Sequence, residues 1–360
     1  MSYPCETCAK VFSTKRQYTF HRARKTPCVA ASPLEQKEET EKTEETVQPP
    51  LDPSAALLTP PLISETHSAP LLPSAALTPP LKWVGGKTQL LPSVLARFPT
   101  DIRDYYEPFL GGGSVLLALL SQTRIRITGN VYASDINPHL IGFYQHLQSR
   151  LPELWEALQG ILEEQKTSGM SDEEFYYAQR TRFNALDRDA STPVSSALFL
   201  YLNKTCFRGV YREGPRGFNV PFGHYKNPTI ATYPHLRAVS EAIQGVQFRV
   251  CRFQVALAEA SFGTEDFVYL DPPYAPEKRD SFTAYVAGGF PAEQHESLFD
   301  ACQTLKGEGV RLLLSNADVP WVRQSLPASE GWVYESLSCR RAIHSKRPDS
   351  RAMEVLVSSV

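Results

Sequence analysis

The sequence predicts an α/β domain built on a mostly parallel sheet, on three observations. From Leu81 onward, short apolar runs ending at Gly, Asp or Asn alternate with helical stretches. A glycine-rich turn, Gly111-Gly112-Gly113, joins a predicted strand to a helix, and a later strand runs into the rigid turn Asp271-Pro272-Pro273-Tyr274. Strands that alternate with helices are joined by crossovers, and crossovers make parallel pairs. Apolar residues are 42% of the 360, enough for a sizeable core, and at ~150 residues per domain the length predicts two domains. Lys and Arg total 37 against 39 Asp and Glu, so the chain is not globally basic and a nucleic-acid surface has to be a local patch. No run reaches the ~18 apolar residues of a membrane span, and Met1-Ser2-Tyr3-Pro4-Cys5 does not begin a secretory signal. Cys206, Cys251, Cys302 and Cys339 are scattered, as reduced thiols of an intracellular protein are.

Residues 1–28 carry six basic side chains against Glu6 alone, and three cysteines. The pattern Cys5-x2-Cys8-x12-His21-x6-Cys28, with Phe12 and Tyr18 between, predicts a small ββα zinc finger. Zinc needs four such ligands, and a unit this small needs the staple to fold. The last spacing is one residue beyond the usual range. Thr14, Gln17 and Phe20 at the base-reading positions are a weak set, so phosphate contact and protein binding both stand as roles for the finger.

Residues 29–80 hold ten prolines, a Glu-rich run from Glu35 to Glu45, and no Gly, Phe, Trp or Tyr. Too little surface can be buried there to offset chain entropy, which predicts a disordered, partly polyproline linker. A docking motif for a protein partner is the other reading.

In the domain from 81 to 360, the expected strands are Arg103–Tyr106, Val131–Ser134, Phe267–Leu270 and Val310–Leu314. The expected helices are Gly113–Leu120, Pro152–Lys166, Asp172–Leu186 and Ala292–Lys306, and the stretch from about 138 to 234 reads as an inserted helical subdomain. The turn after the first strand lets the backbone approach a ligand and aims helix N–H groups at it. It lacks the Gly-Lys-Ser/Thr of a phosphate loop. Asp135 closes the next strand, where a carboxylate accepts hydrogen bonds from ribose hydroxyls. A helix cap explains Asp135 alone; acid and glycine turn together imply a nucleoside-containing cofactor. In Asp271-Pro272-Pro273-Tyr274 the prolines fix the backbone and remove competing N–H groups. A carboxylate, a carbonyl and an aromatic face then suit a planar base with an exocyclic amine; a strand-ending turn with no ligand is the other reading of the tetrapeptide alone.

Lys82-Trp83-Val84-Gly85-Gly86-Lys87, then Glu107-Pro108-Phe109-Leu110-Gly111-Gly112-Gly113-Ser114, then Asp271-Pro272-Pro273-Tyr274, resembles the Dam-family, D12-class, DNA adenine-N6 methyltransferases. Asn203, Phe218–Lys226, Phe282–Tyr285 and Ser315-Asn316 resemble further family segments. The resemblance implies a Rossmann-like methyltransferase sheet with an inserted DNA-recognition subdomain and hairpin. It implies S-adenosylmethionine as methyl donor, contacted by Trp83, Lys87, Asp135, Asp271 and the loop Glu107, Pro108, Phe109, Gly111 and Gly113. It also implies a target adenine flipped out of double-stranded DNA, as base-modifying enzymes require. Asp271 and Pro272 then hold N6, Pro273 stiffens the turn and Tyr274 stacks on the ring.

From Lys204 to Lys226 there are five basic residues and one acid, with Phe207, Tyr211, Phe218 and Tyr225 interleaved, a composition for gripping phosphates and filling gaps in a base stack. A second basic set is Arg340, Arg341, Lys346, Arg347 and Arg351. The hairpin resembles that of members acting on GATC. By position Phe207 and Arg208 insert near the vacated base, Arg212, Pro221 and Tyr225 read base edges, and Lys82 reaches the first guanine. Arg208 stands where the family often has Asn. A catalytically silent DNA-holding module, and an enzyme acting on cytosine N4 or RNA, are the competing readings. The intact Asp271–Tyr274 turn and the DNA hairpin count against both. A finger joined to such an enzyme associates it with a eukaryote or a virus of one, nucleus and cytoplasm both remaining open.

Overall fold

The computed structural model describes residues 3–4, 11–12, 77–186, 191–277, 290–340 and 351–359. The chain divides into two compact units, Met1–His67 and Ser68–Val360. In the first, β1 (Tyr3–Pro4) pairs antiparallel with β2 (Val11–Phe12), Tyr3 opposite Phe12. Cys5, Cys8, His21 and Cys28 lie outside the described residues, as does the linker up to residue 76.

In the second unit the Leu77 N–H donates to Ser121 Oγ at 3.2 Å. After α1 (Leu91–Ala96) come β3 (Asp101–Ile102), β4 (Tyr105–Glu107), α2 (Ser114–Leu120), β5 (Arg126–Ile127) and β6 (Val131–Asp135). Then follow α3 (Pro138–Ser149), α4 (Leu151–Thr167), α5 (Asp172–Ala185), α6 (Pro193–Thr205), the short pair β7 (Glu213–Gly214) and β8 (Gly217–Phe218), and α7 (Tyr233–Ala242). The chain re-enters the sheet as β9 (Val246–Val250), passes α8 (Phe253–Ala258), β10 (Phe267–Leu270), α9 (Ala292–Gly307), β11 (Arg311–Ala317) and α10 (Pro320–Ser325), and ends in β12 (Val333–Arg340) and β13 (Arg351–Ser358).

The main sheet has seven strands in the order β12-β13-β11-β10-β4-β6-β9. Five neighbours from β11 to β9 are parallel, while β13 is antiparallel to both β11 and β12, so β13 alone is reversed. Alternation along each strand feeds two cores. Tyr105, Phe267, Tyr269, Leu313 and Leu356 pack with α1, α2 and α3, and Tyr106, Val268, Leu270, Leu312 and Val357 pack with α8, α9 and α10. With both faces covered, the strands read as continuous apolar runs.

The long excursion between β6 and β9 is helical because its apolar residues recur at helical spacing and its starts are capped. Asn137 Oδ1 accepts the N–H groups of His139 and Leu140, and Ser171 with Glu174 and Thr192 with Ser195 form reciprocal capping boxes. Helix α6 is buried along almost its whole length, so it is the axis around which α3, α4 and α5 pack.

Between β4 and β10 the strand order turns: β4 leads outward to β6 and β9, β10 to β11. Loops leaving the carboxyl ends of strands on either side of such a point diverge and open a crevice. Glu107 and Leu270 are the last residues of those two strands, so Pro108–Gly113 and Asp271–Tyr274 leave on opposite sides of it.

Candidate active site

One cleft at this switch point is lined by Trp83, Lys87, Glu107, Pro108, Phe109, Gly111, Asp135, and the whole turn Asp271, Pro272, Pro273 and Tyr274. Gly113 lies just behind, at the start of α2.

The glycine loop is shaped first by its own packing. Gly111 and Gly113 adopt φ of +50° and +72°, which L side chains rarely adopt. A Cβ on Gly112 would meet the Trp83 Cβ at 2.8 Å, and one on Gly113 the Tyr144 hydroxyl at 2.6 Å. That hydroxyl donates to Gly112 O at 2.7 Å, tying the loop to α3. Trp83 in turn lies near-parallel to Tyr211, 6.0 Å between centroids.

Asp135 Oδ2 accepts the Gly111 N–H and Oδ1 the Asn137 N–H, each at 3.0 Å. Burial pushes its carboxyl up, opposed by these backbone donors. The Ile136 N–H is a third backbone donor to this carboxylate, which leaves acceptor capacity for one further hydroxyl. Alongside, the Phe109 and Phe253 rings pack at 5.1 Å, with Phe290 5.9 Å from Phe109. Sequence reasoning placed Phe109 beside the cofactor but missed Phe253 and Phe290; the signal for Phe253 was the alternation Val246, Phe248, Val250 of the strand that precedes it.

The Asp271 carboxylate is set by far-separated segments. The buried Lys87 ammonium contacts both Asp271 oxygens at 2.7 and 2.8 Å and donates to Gly85 O at 2.9 Å. Ser114 Oγ accepts the Lys87 N–H at 3.1 Å, joining that segment to α2. Burial pushes the Asp271 carboxyl up, and Lys87 pulls it back down. The turn after Asp271 is pinned by Asn316, at the end of β11, whose Oδ1 accepts the Ala275 N–H at 2.9 Å. Glu107 is buried under the cleft and accepts the Tyr105 O–H at 2.7 Å. Burial, against that hydrogen bond, pushes its carboxyl up to about 8, so it is mostly protonated at neutral pH.

The residues expected at DNA form a second group, of which Arg208 and Arg212 also line the cleft. Phe207 is 47% exposed, and its N–H donates to Pro221 O at 2.8 Å. Arg208 sits at φ +57°, its N–H donating to the Tyr225 hydroxyl at 2.8 Å. The Lys82 ammonium lies 4.1 Å from the Tyr225 ring centroid. Arg212 Nε donates to Asn219 Oδ1 at 2.7 Å, a bond that closes the β7–β8 pair. Asn203 on α6 grips the Lys82 backbone from both sides, accepting its N–H at 2.7 Å and donating to its carbonyl at 2.8 Å. Phe282–Tyr285 and Arg341, Lys346 and Arg347 lie outside the described residues.

A glycine loop, a strand-end acid and a buried ion pair at one switch point define an enzyme of the nucleoside-cofactor α/β class. The chain belongs to the D12 class N6 adenine-specific DNA methyltransferase family, which it matches over residues 83–337. It is 36% identical over 252 residues to the type II methyltransferase M.MjaIII of Methanocaldococcus jannaschii, covering 66% of this chain and 84% of that one. It is 31% identical over 289 residues to a DNA adenine methylase of Haemophilus influenzae, 78% of this chain and 92% of the relative. A DNA N-6-adenine-methyltransferase of Escherichia phage P1 is 32% identical over 289 residues, 79% of this chain and 35% of the phage protein. The protein is an adenine-specific DNA methyltransferase.

Proposed function

We propose that this enzyme methylates N6 of an adenine extruded from duplex DNA, within GATC, using S-adenosylmethionine held in the switch-point cleft. The observation that carries the reading is Asp271: it follows the last residue of β10 at the turn of strand order, is gripped by Lys87, and keeps 20% of its side chain open.

The residues present fit the cofactor. Asp135 has acceptor capacity to spare for a ribose hydroxyl, Phe109 and Phe253 offer an apolar wall for a base, and Lys87 holds the Asp271 carboxylate at the edge of the same cleft. When bound, S-adenosylmethionine supplies a methyl group already activated by its sulfonium. Asp271 and the Pro272 carbonyl accept hydrogen bonds from the two N6–H groups of the target and draw its lone pair out of the purine ring; N6 gives up one of those protons to solvent as it takes the methyl. Tyr274 stacks on that ring and sets its distance from the carboxylate. Positioning contributes most of the rate and the acceptor electrostatics come second.

Specificity falls to the second group. Phe207 is exposed for insertion into the stack, Arg208 lies over its ring at 5.2 Å, and Arg212, Pro221 and Tyr225 read base edges with Lys82 at the first guanine. The helices between β6 and β9 act as the DNA-recognition subdomain. Cys5, Cys8, His21 and Cys28 bind structural zinc in an N-terminal finger. The antiparallel pair of Tyr3–Pro4 with Val11–Phe12, which brackets Cys5 and Cys8, supports that reading. The finger holds DNA or a protein partner near the catalytic unit without choosing the target.

The test is plasmid incubated with the protein and S-adenosylmethionine, then digested with enzymes that distinguish methylated from unmethylated GATC. Protection from the methyl-blocked enzyme together with cutting by the methyl-dependent one is expected, and Asp271→Ala abolishes both while retaining DNA affinity. N6-methyladenine in the nucleosides without GATC protection overturns the site, and no N6-methyladenine overturns the reaction.

A further inference from the structure

Glu354 is a side chain that the mechanism above leaves unused. It stands near the start of β13, the reversed strand. Because β13 runs against its neighbours, its beginning is level with the strand ends that carry the cleft, and Glu354 pairs in register with Ala317 at the end of β11. From there Oε2 accepts the phenol O–H of Tyr274 at 2.6 Å, across 80 residues of sequence. Burial, then the charges of Asp271 and Glu354, push the Tyr274 phenol far up, so the hydroxyl keeps its proton and donates. The Lys87 ammonium sits 4.9 Å from the centroid of the same ring. The phenol oxygen lies on the ring's long axis, so its bond fixes where the ring points, and a cation over the face fixes how it is turned.

We propose that Glu354 is a positioning residue for methyl transfer: by anchoring the Tyr274 hydroxyl, it holds the ring in the orientation that stacks on the extruded adenine. The inference rests on Tyr274 being the stacking surface, as proposed above. Neither residue forms or breaks a bond in the reaction. Asp271 and Pro272 grip the amine end of the base, and the ring sets where the rest of it lies. A misplacement of ~1 Å at such a contact costs on the order of 10²-fold in rate. A carboxylate is also an apt anchor, because a charged acceptor makes a shorter and stronger bond than a neutral one.

The test compares full-length wild type with Glu354→Ala, Glu354→Gln, Tyr274→Phe and the Glu354→Ala/Tyr274→Phe double variant. Methylation of a duplex is read as N6-methyladenine by mass spectrometry, and fluorescence is read on the same duplex with 2-aminopurine at the target position. Glu354→Ala should lose about 10-fold or more in kcat while KM for S-adenosylmethionine stays put. Its 2-aminopurine emission should exceed that of the wild-type complex, because an extruded base that is not stacked is not quenched. Glu354→Gln still offers an acceptor oxygen and should recover most of the rate. The double variant should be no slower than the slower single variant, since each removes the same bond. Tyr274→Phe keeps the ring and loses only the anchor, so it carries the comparison should Glu354→Ala fail to fold. Wild-type protein that makes no N6-methyladenine would overturn the reaction and this inference together. An active wild type matched in kcat by Glu354→Ala or by Tyr274→Phe, or single losses that multiply in the double variant, would overturn the role of Glu354 alone.

Discussion

Lys87 and Asp271 stand 184 residues apart in sequence, yet the Lys87 ammonium touches both oxygens of the Asp271 carboxylate. Lys87 is 3% exposed, so this cation is committed to the pair. The contact joins the segment that precedes the glycine loop to the carboxylate proposed to receive the target amine.

That pair predicts a shift in pH dependence. Burial alone would push the Asp271 carboxyl up, and Lys87 opposes it. A protonated Asp271 presents a donor where the reaction needs an acceptor, so activity falls as pH falls through its pKa. In Lys87→Met the carboxyl holds its proton to higher pH, and the acid limb of kcat moves to higher pH. A kcat–pH profile at saturating cofactor checks this, and coincident acid limbs would reject it.

Glu107 predicts a stability effect of the opposite sign to that of a paired carboxylate. Its folded pKa of about 8 lies above the ordinary 4.5, so the folded state binds the proton more tightly than the unfolded chain does. The contribution is fully present below the ordinary value and is lost as pH rises through about 8. Glu107→Gln stays neutral, so relative to wild type it should gain on the order of a few kcal/mol between about pH 5 and about pH 9. Urea midpoints at both pH values measure it, and parallel loss of stability in the two proteins would count against it.

Arg208 holds a left-handed backbone conformation at a proposed DNA contact. A non-glycine residue at its φ of +57° is strained by ~1–2 kcal/mol, less for Asn. Arg208→Asn should therefore raise the melting temperature while weakening DNA binding at low salt. A lower melting temperature would mean that contacts of the Arg208 side chain outweigh the strain.

Arg212 is set by Asn219 and tests readout against simple attraction. Arg212→Ala should cost ~1–3 kcal/mol of discrimination between the target and a single-base variant. Competition binding with the two duplexes measures it. Equal weakening on both would make Arg212 a phosphate contact.

Removing residues 1–76 should leave kcat on a short duplex within about twofold, because the described residues of the second unit from Leu77 onward already carry its core, the cleft lining and the Lys87–Asp271 pair. A steady-state assay of the truncated chain decides it, and an inactive but folded truncation would place the N-terminal unit in the active assembly.

How much of this was legible depended on how local each signal was. Strand Phe267–Leu270 is found where the sequence predicts it, because a strand covered on both faces is a continuous apolar run. The first strand is displaced: Arg103 was expected inside it, but its guanidinium forks onto the buried carboxylate of Asp266 at 2.8 and 2.6 Å, and the main-sheet strand runs Tyr105–Glu107. β9, β12 and β13 were not foreseen, because strands at or near the sheet edge mix apolar and polar residues. In the cleft, the glycine loop and the Asp271–Tyr274 turn were legible because each is contiguous. Glu354 was not, since nothing near it in sequence records a partner 80 residues away.

The double grip of Asn203 on Lys82 has a thermodynamic consequence. The segment Lys82–Lys87 is fastened at one end to α6 and at the other to Asp271, with Trp83 lying on the glycine loop between. If cofactor and DNA bind at its two ends as proposed above, any coupling carried by this segment is reciprocal: the factor by which one tightens the other is the factor it receives in return.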